Sequence, residues 1–475
     1  MKVISEISVV STLQDYQKFN RADPYSVHPR KVRSIEKIEE VAEENGYDVL
    51  PLIELLEIPP SSGRGGLPVI SNGEVKIVKP ANLTDLFFVD LTDCERTTLD
   101  AYNSSEKGRL QDLDILVLSA AHAEGYIGTN TSIVHLNDDE KAICIGELIR
   151  LRPNIDRINP YYLTLYLNSI IGKYMLNYSV RGQTVHLYPK DIEYLPILLP
   201  PRKIQDSIGN KLKQAIEAKI EAEKKRRKIE NIFESYLQST KITNFSTLNY
   251  SLDYVKIARR CDPLHFYYRS IWESIQKSLA NIRKLLLRDC LQEFPKAGKR
   301  VEYKYLKDDK GGTVCYIDIK DIQEIFVIES DSKIPEEAMN VYKCEEIEKF
   351  DILLSRVGTL GNVSIFLGEK KATYSDNVFR LRCKDDMINP YYLISYFTSK
   401  FGSIQFNMYA KHTLQPVISS QFFENAVIFL FPENKEIADY TDKYIRSKLS
   451  SKQLHSQAME EFNKLLSLNA GGDKS

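Results

Sequence analysis

Two stretches of this chain place largely apolar residues at alternating spacings of four and three. The first runs from Arg202 to about Thr240, with no proline and one glycine; the second runs from Glu433 to about Leu468, with neither. Both patterns predict long helices. In the first the seam is Ile208, Leu212, Ala215, Lys219, Ala222, Arg226, Ile229, Phe233 and Tyr236. In the second it is Ile437, Thr441, Tyr444, Lys448, Ser451, His455, Ala458, Phe462 and Leu465. Each is a heptad seam with apolar ends and a polar middle, and the two stand in register. This predicts two helices that pack on each other antiparallel, each of about 33 residues and roughly 50 Å. The plainer alternative is a pair of unrelated surface helices.

The rest of the chain is also written twice. Ile158-Asn-Pro-Tyr-Tyr-Leu163 returns as Ile388-Asn-Pro-Tyr-Tyr-Leu393, and Arg150-Leu-Arg152 as Arg380-Leu-Arg382. Asp114-Ile-Leu116 returns as Asp351-Ile-Leu353, Gly125-Tyr-Ile-Gly128 as Gly358-Thr-Leu-Gly361, and Arg21-Ala-Asp-Pro24 as Arg260-Cys-Asp-Pro263. Phe88-Val-Asp-Leu91 is matched to Tyr316-Ile-Asp-Ile319. The order is kept throughout, and the period is far too long for a solenoid unit. Short β-rich runs bounded by Gly, Asn and Asp predict strands at Leu86–Leu91, Ile115–Leu118, Thr313–Ile319, Ile352–Leu354, Val363–Leu367 and Val378–Arg382. The Gly-x-x-Gly pairs read as hairpins that need positive φ, or else as a close approach to a ligand. Ser34–Asn45 and Asp262–Arg288 read as helical, and Asn159 and Asn389 as N-caps with proline in the first turn.

The expected fold class is therefore α+β: two pseudo-repeated α/β domains separated by two long antiparallel helices, with a pseudo-two-fold inside one chain. The expected boundaries are 1–201 and 243–432 for the globular domains, 202–242 and 433–468 for the helices, and 469–475 for a tail.

Charge narrows the function. Lys plus Arg is 64 against 65 Asp plus Glu, so any nucleic-acid binding must rest on local patches. The seven cysteines include no Cys-x-x-Cys, and the histidines no His-x-x-x-His, so neither a disulfide framework nor a metal site is expected. The N-terminal stretch makes a poor signal peptide, and the apolar run Ala426–Phe431 is too short to span a bilayer; a cytoplasmic protein is expected. Asn159-Pro-Tyr-Tyr162 superficially resembles the Asn/Asp-Pro-Pro-Tyr motif of amino-group DNA methyltransferases. It lacks the second proline, occurs twice and begins a helix each time, so a cap is the better reading. Ser62-Gly-Arg-Gly-Gly66 is a lone flexible loop, and no P-loop, nucleophile elbow or zinc-protease motif occurs. A non-catalytic chain without cofactor or metal is expected.

A duplicated frame closed each time by a long helix resembles the specificity subunit of type I restriction–modification systems. Asp351-Ile-Leu-Leu-Ser-Arg-Val-Gly-Thr-Leu-Gly361, Ile388-Asn-Pro-Tyr-Tyr-Leu393 and the run from Arg181-Gly-Gln-Thr184 to Leu195-Pro-Ile-Leu-Leu-Pro-Pro201, with Gln205 beyond, carry the resemblance. The copies depart from each other at Leu118–Gly125 and at Ala410–Thr413. The resemblance implies two target-recognition domains, each reading half of a bipartite site in double-stranded DNA. It implies helices that set the gap and dock two modification methyltransferase subunits, and a separate restriction/translocase subunit. Candidate DNA-facing residues are Arg64, Lys76, Lys79, Lys107, Arg109 and His122 in the first domain, and Lys299, Arg300, Lys304, Lys307, Arg356 and Lys411 in the second. Arg181, Gln183, His412 and Thr413 are expected in the same clefts. The plain alternative for each is a solvated surface charge. Lys219, Arg226, Lys448 and His455 mark a partner-binding or loosely packed helix centre, or equally a solvated seam. Two other classes compete: an uncharacterised DNA adenine methyltransferase, and a coiled-coil adaptor that binds no DNA.

Overall fold

A computed structural model describes residues 28–104, 106–120, 126–180, 186–240, 263–305, 312–411 and 416–467. His122, Arg181, Gln183, Lys307, His412 and Thr413 lie outside the described residues, as do the landmarks Arg21–Pro24 and Arg260–Asp262.

The two globular copies have the same strand plan. In the first, a four-stranded antiparallel sheet orders Leu56–Ser62, Leu148–Pro153, Ile115–Leu118 and Ser132–Ile133. Beside it in the chain, a three-stranded sheet orders Glu95–Thr97, Val75–Val78 and Ala142–Cys144, the last two parallel. In the second copy the corresponding sheets order Lys296–Ala297, Val378–Leu381, Ile352–Ser355, Val363–Phe366 and Phe326–Val327, and then Lys333–Ile334, Val314–Ile317 and Ala372–Tyr374. The last two are again parallel. The apolar clusters agree member by member: Val78, Leu116, Ala142 and Leu148 stand where the second copy has Ile317, Leu353, Ala372 and Val378.

This register corrects one sequence match. Val75–Val78, not Phe88–Leu91, is the counterpart of the strand holding Tyr316, because each pairs in parallel with the strand of the repeated outgoing segment. Phe88 instead bridges to Ile133 as Phe326 pairs with Ile365. Nor is Leu86–Leu91 a strand: Phe87 takes a left-handed φ of 63°, which breaks the extended run. Of the one or two helices expected over Asp262–Arg288, the first is Pro263–Ser278 and a second, short one begins at Leu287; between them Lys284–Leu286 is a strand held by backbone pairing to Val427–Phe429. The second Gly-x-x-Gly is a hairpin between Ile352–Ser355 and Val363–Phe366, with Gly358 and Gly361 at φ 85°.

The repeated landmarks turn out to be structural. Asn159 caps the helix Pro160–Asn168 and Asn389 caps Pro390–Thr398, each accepting a backbone N–H at the first turn. The second tyrosine of each motif is buried and ties the helix to the closing strand: Tyr162 donates to the Leu198 carbonyl and Tyr392 to that of Phe429. Asp114 and Arg152 form a two-pronged buried ion pair, with both N···O distances 2.8 Å. Asp351 and Arg382 repeat it at 2.8 and 2.7 Å. Each carboxylate holds its guanidinium above the ordinary arginine value.

The long helices are Arg202–Ser239 and Asn434–Leu465. The chain divides into two compact units, 1–219 with 449–475, and 220–448. Each unit holds half of each helix, and the division falls at the polar seam positions Lys219 and Lys448. In the first unit the halves run antiparallel, with Lys211 paired to Glu461 and Ser451 donating to the Ala215 carbonyl. In the second, Tyr236 donates to Glu433 and the Lys228 ammonium lies over the Tyr440 ring. Most apolar seam positions are buried, from Ile208 and Leu212 to Ala458 and Phe462, but at the far ends Leu237 and Leu466 are buried while the seam residues Tyr236 and Leu465 are half-buried. Phe462 packs on Tyr162 and Tyr166, and Phe233 packs on Tyr392 and Tyr396.

Three expected outcomes follow from this packing. Phe462→Ala should lower stability by about 3–5 kcal/mol, because the ring is fully buried and its removal leaves a cavity; denaturant titration of the full chain measures it. Asp114→Ala should cost about 3–5 kcal/mol, because fully buried Asp114 takes both prongs of Arg152, whereas replacing both partners by apolar residues should cost much less; thermal melts of the single and double variants decide. Burial lowers the ordinary value of His455, which Asp85 opposes, and that of His135, where Asp112 and Glu217 oppose it and Lys213 adds to it. Below the unfolded value of about 6.5 the unfolded chain therefore binds more protons than the folded one. The stability is fully present above that pH and falls with acidification below it; His455→Gln should flatten the decline in a series of melts against pH.

Candidate nucleic-acid interface

Each copy contains a cleft at the same place in its frame. The first strand of the large sheet ends at a glycine that lies against the outgoing strand of the small one. A Cβ at Gly63 would sit 2.2 Å from the Ile145 carbonyl oxygen, and one at Gly298 2.1 Å from that of Tyr374, so only glycine allows the approach. The next residue repeats the contact: the Arg64 amide donates to the Cys144 carbonyl at 2.9 Å and the Lys299 amide to the Tyr374 carbonyl at 3.2 Å. Above this junction the first copy opens a cleft of about 360 Å³, lined by Arg64, Gly65, Gly66, Leu67, Val69, Ile77, Lys79, Ile145, Gly146 and Glu147. The second copy opens one of about 680 Å³, lined by Arg300, Val301, Glu302, Tyr316, Asp318, Ser375, Asp376 and Asn377.

Of the residues expected to face DNA, Arg64 and Lys79 line the first cleft and Arg300 lines the second. Several carry intramolecular partners. Lys79 pairs with Glu95, and Lys76 pairs with Glu140 away from the cleft lining. Arg64 donates to the Ala101 carbonyl and the Ser104 hydroxyl, while Arg109 donates to the carbonyls of Tyr102 and Asn103 and stacks over the Tyr102 ring. Both arginines thus satisfy the carbonyl end of the short helix Leu99–Asn103. Lys107 is exposed two residues before Arg109.

In the second copy Lys299 is exposed beside Arg300. Lys304 pairs with Glu302 and lies over the Tyr305 ring. Arg356 is half-buried; its Nη1 donates to the Asp376 carbonyl at 3.2 Å and its backbone amide to that of Asn377 at 2.8 Å. It therefore holds the loop that lines the cleft. Lys411 is exposed on the strand Ala410–Lys411, which pairs with Val417–Ile418. The structure adds Glu147, Tyr316, Asp318, Asp376 and Asn377 to the lining. None of them is basic; their signal in the sequence is the segment directly after the strands Ala142–Cys144 and Ala372–Tyr374, where the copies diverge.

The charged seam residues are absorbed inside each unit. Lys448 pairs with Glu324, Arg226 bridges Glu223 and Glu230, and His455 packs on Phe87 with ring centroids 4.8 Å apart. Among the described residues no cluster of His, Cys, Asp and Glu is suited to a metal ion, and no helix is long and apolar enough to cross a membrane.

A family model described as the type I restriction modification DNA specificity domain matches this chain twice, over residues 58–231 and 290–459. Each match takes in one globular copy and most of the long helix that follows it. The S subunit of a type I restriction–modification system from M. genitalium is similar in structure, with a TM-score of 0.49 and 13% identity over 88% of this chain and 95% of that one. The HsdS subunit from Thermoanaerobacter tengcongensis matches 89% of this chain and 96% of its own at 13% identity, with a TM-score of 0.28. None of the curated proteins matches. The two family matches cover well over half of the residues, and the chain belongs to the type I restriction–modification DNA specificity family, whose role is to bind DNA and direct the chemistry rather than perform it.

Proposed function

We propose that 1–201 and 243–432 are target-recognition domains that each read one half of a bipartite site in double-stranded DNA. The helices 202–242 and 433–468 set the spacing of the halves and dock two modification methyltransferase subunits, and a restriction/translocase subunit joins the same cytoplasmic complex. The observation that carries this reading is the cleft built twice on one backbone frame with two different linings. A duplicated reader of a two-part sequence needs that combination: equal frames to meet equal duplex geometry, and unequal side chains to meet unequal bases.

Contacts in the first domain are assigned to Arg64 and Lys79 at the cleft, with Lys76, Lys107, Arg109 and His122 around it, and Arg181 and Gln183 before the closing strand. Those in the second are assigned to Lys299 and Arg300, with Lys304, Lys307, Arg356, Lys411, His412 and Thr413. Contacts of these cations to phosphates give affinity that falls with salt, and those to base edges give choice, an arginine or lysine matching guanine.

Exchanging residues 243–430 for the matching segment of another family member should change one half of the methylated sequence and leave the other half intact, as read by methylation mapping of cells carrying the complete system. An unchanged pattern would favour the adaptor. Micromolar binding of S-adenosylmethionine by the full chain alone would favour a methyltransferase instead.

A further inference from the structure

The linings of the two clefts differ in a directed way. Strand register places Ile77 and Lys79 where the second copy has Tyr316 and Asp318. After the outgoing strand, Gly146 and Glu147 stand where it has Asp376 and Asn377. The first cleft is thus floored by glycines, and its cations are already engaged with the protein. The second presents Arg300, Asp376 and Asn377, and none of these three side chains has a hydrogen-bond or ion-pair partner among the described residues.

The loop that carries Asp376 and Asn377 is fixed through its backbone. Arg356 grips both carbonyls, the Asn377 amide donates to Ser375 Oγ at 3.2 Å, and that hydroxyl donates to Asp318 Oδ1 at 2.6 Å. The side chains are left unspent on a rigid support, the condition for discriminating by hydrogen bonds rather than by general attraction. Each of the three is planar and two-pronged. A guanidinium matches O6 and N7 of guanine, a carboxamide matches N6 and N7 of adenine, and a carboxylate accepts from the N4 amine of cytosine. The carboxylates also argue against a phosphate track at this spot. Asp376 shares the cleft with Asp318 and Glu302, and like charge repels a phosphate while favouring an exocyclic amine.

We propose that Arg300, Asp376 and Asn377 are specificity-determining residues that read base edges in one half of the DNA site, with Asp376 and Asn377 selecting a cytosine and an adenine. This rests on the recognition reading above and goes beyond it by naming the residues and the bases.

The test maps methylated sites in cells that carry the complete system with the wild-type chain, Asp376→Asn, Asn377→Asp or Arg300→Gln. The first two exchanges preserve shape, and a melt of each purified full-length variant checks folding. Asp376→Asn should lose preference for one base pair by roughly tenfold to a hundredfold and gain tolerance for adenine there. Asn377→Asp should do the reverse at a second position, and Arg300→Gln should relax a guanine. In every case the other half of the site stays unchanged. Folded variants that keep the wild-type preference in full, or that relax both halves alike, would overturn the proposal and leave the recognition reading standing. A wild-type chain that yields no two-part site would overturn that reading, and this proposal with it.

Discussion

The structure depends on one kind of contact: a phenylalanine from the far end of a long helix set into a pair of buried tyrosines. Phe462 does this against Tyr162 and Tyr166, and Phe233 against Tyr392 and Tyr396. The helix that follows the first copy in sequence therefore finishes the core of the second, and the helix after the second finishes the first. A compact unit accordingly draws on two distant stretches of chain. The tyrosines serve twice, because their rings meet the phenylalanine while their hydroxyls hold the closing strand. Burial of an aromatic ring supplies the energy, and the satisfied hydroxyls remove the penalty that buried polar groups would otherwise carry.

That crossing explains why the helix seams have polar middles. Seam positions near the ends must fill a tyrosine-lined socket and are apolar; those near the division between the units must only be satisfied. Ser451 meets this by donating to the Ala215 carbonyl, and Thr441, nearer the helix start, is likewise satisfied by sharing a hydrogen bond with Ser395. Lys448 and Arg226 meet it with carboxylates of their own unit. A coiled coil judged only by apolar content would look weak here, yet Ser451, Thr441, Lys448 and Arg226 all find partners.

Much of the fold was legible because repetition exposes structural residues. The Asn-Pro cap, the second tyrosine, and the Asp and Arg of the buried pair appear in both copies, since each copy must solve the same packing problem. The errors have the same physical root. Phe88-Val-Asp-Leu91 resembles Tyr316-Ile-Asp-Ile319 because an aromatic, a β-branched residue and an aspartate ending a run are common to many strands; only backbone pairing shows that Tyr316 corresponds to Ile77. Lys284–Leu286 carries no strand pattern of its own and is extended because Val427–Phe429 offers it partners. The candidate site was less legible. Basic residues are easy to pick out, but whether a cation is free depends on its neighbours: Arg64 and Arg109 hold a helix end, and Lys76 and Lys79 face carboxylates.

The internal spending of cations fits a specificity subunit better than a strongly basic surface would. Each lysine or arginine that neutralises a phosphate adds to affinity for every sequence alike, and a genome offers an enormous excess of wrong sites. On the recognition reading, a chain with 64 basic and 65 acidic residues, several of the former paired within their own domain, relies on local cations rather than on its overall charge for affinity to DNA of arbitrary sequence. What it gains at the right sequence must come from directional groups on a rigid support, which penalise a mismatch by leaving a donor or acceptor unpaired. The glycine junction at Gly63 and Gly298 supplies the support, by fixing the backbone beneath each cleft identically, and leaves the lining free to diverge between copies without disturbing the frame.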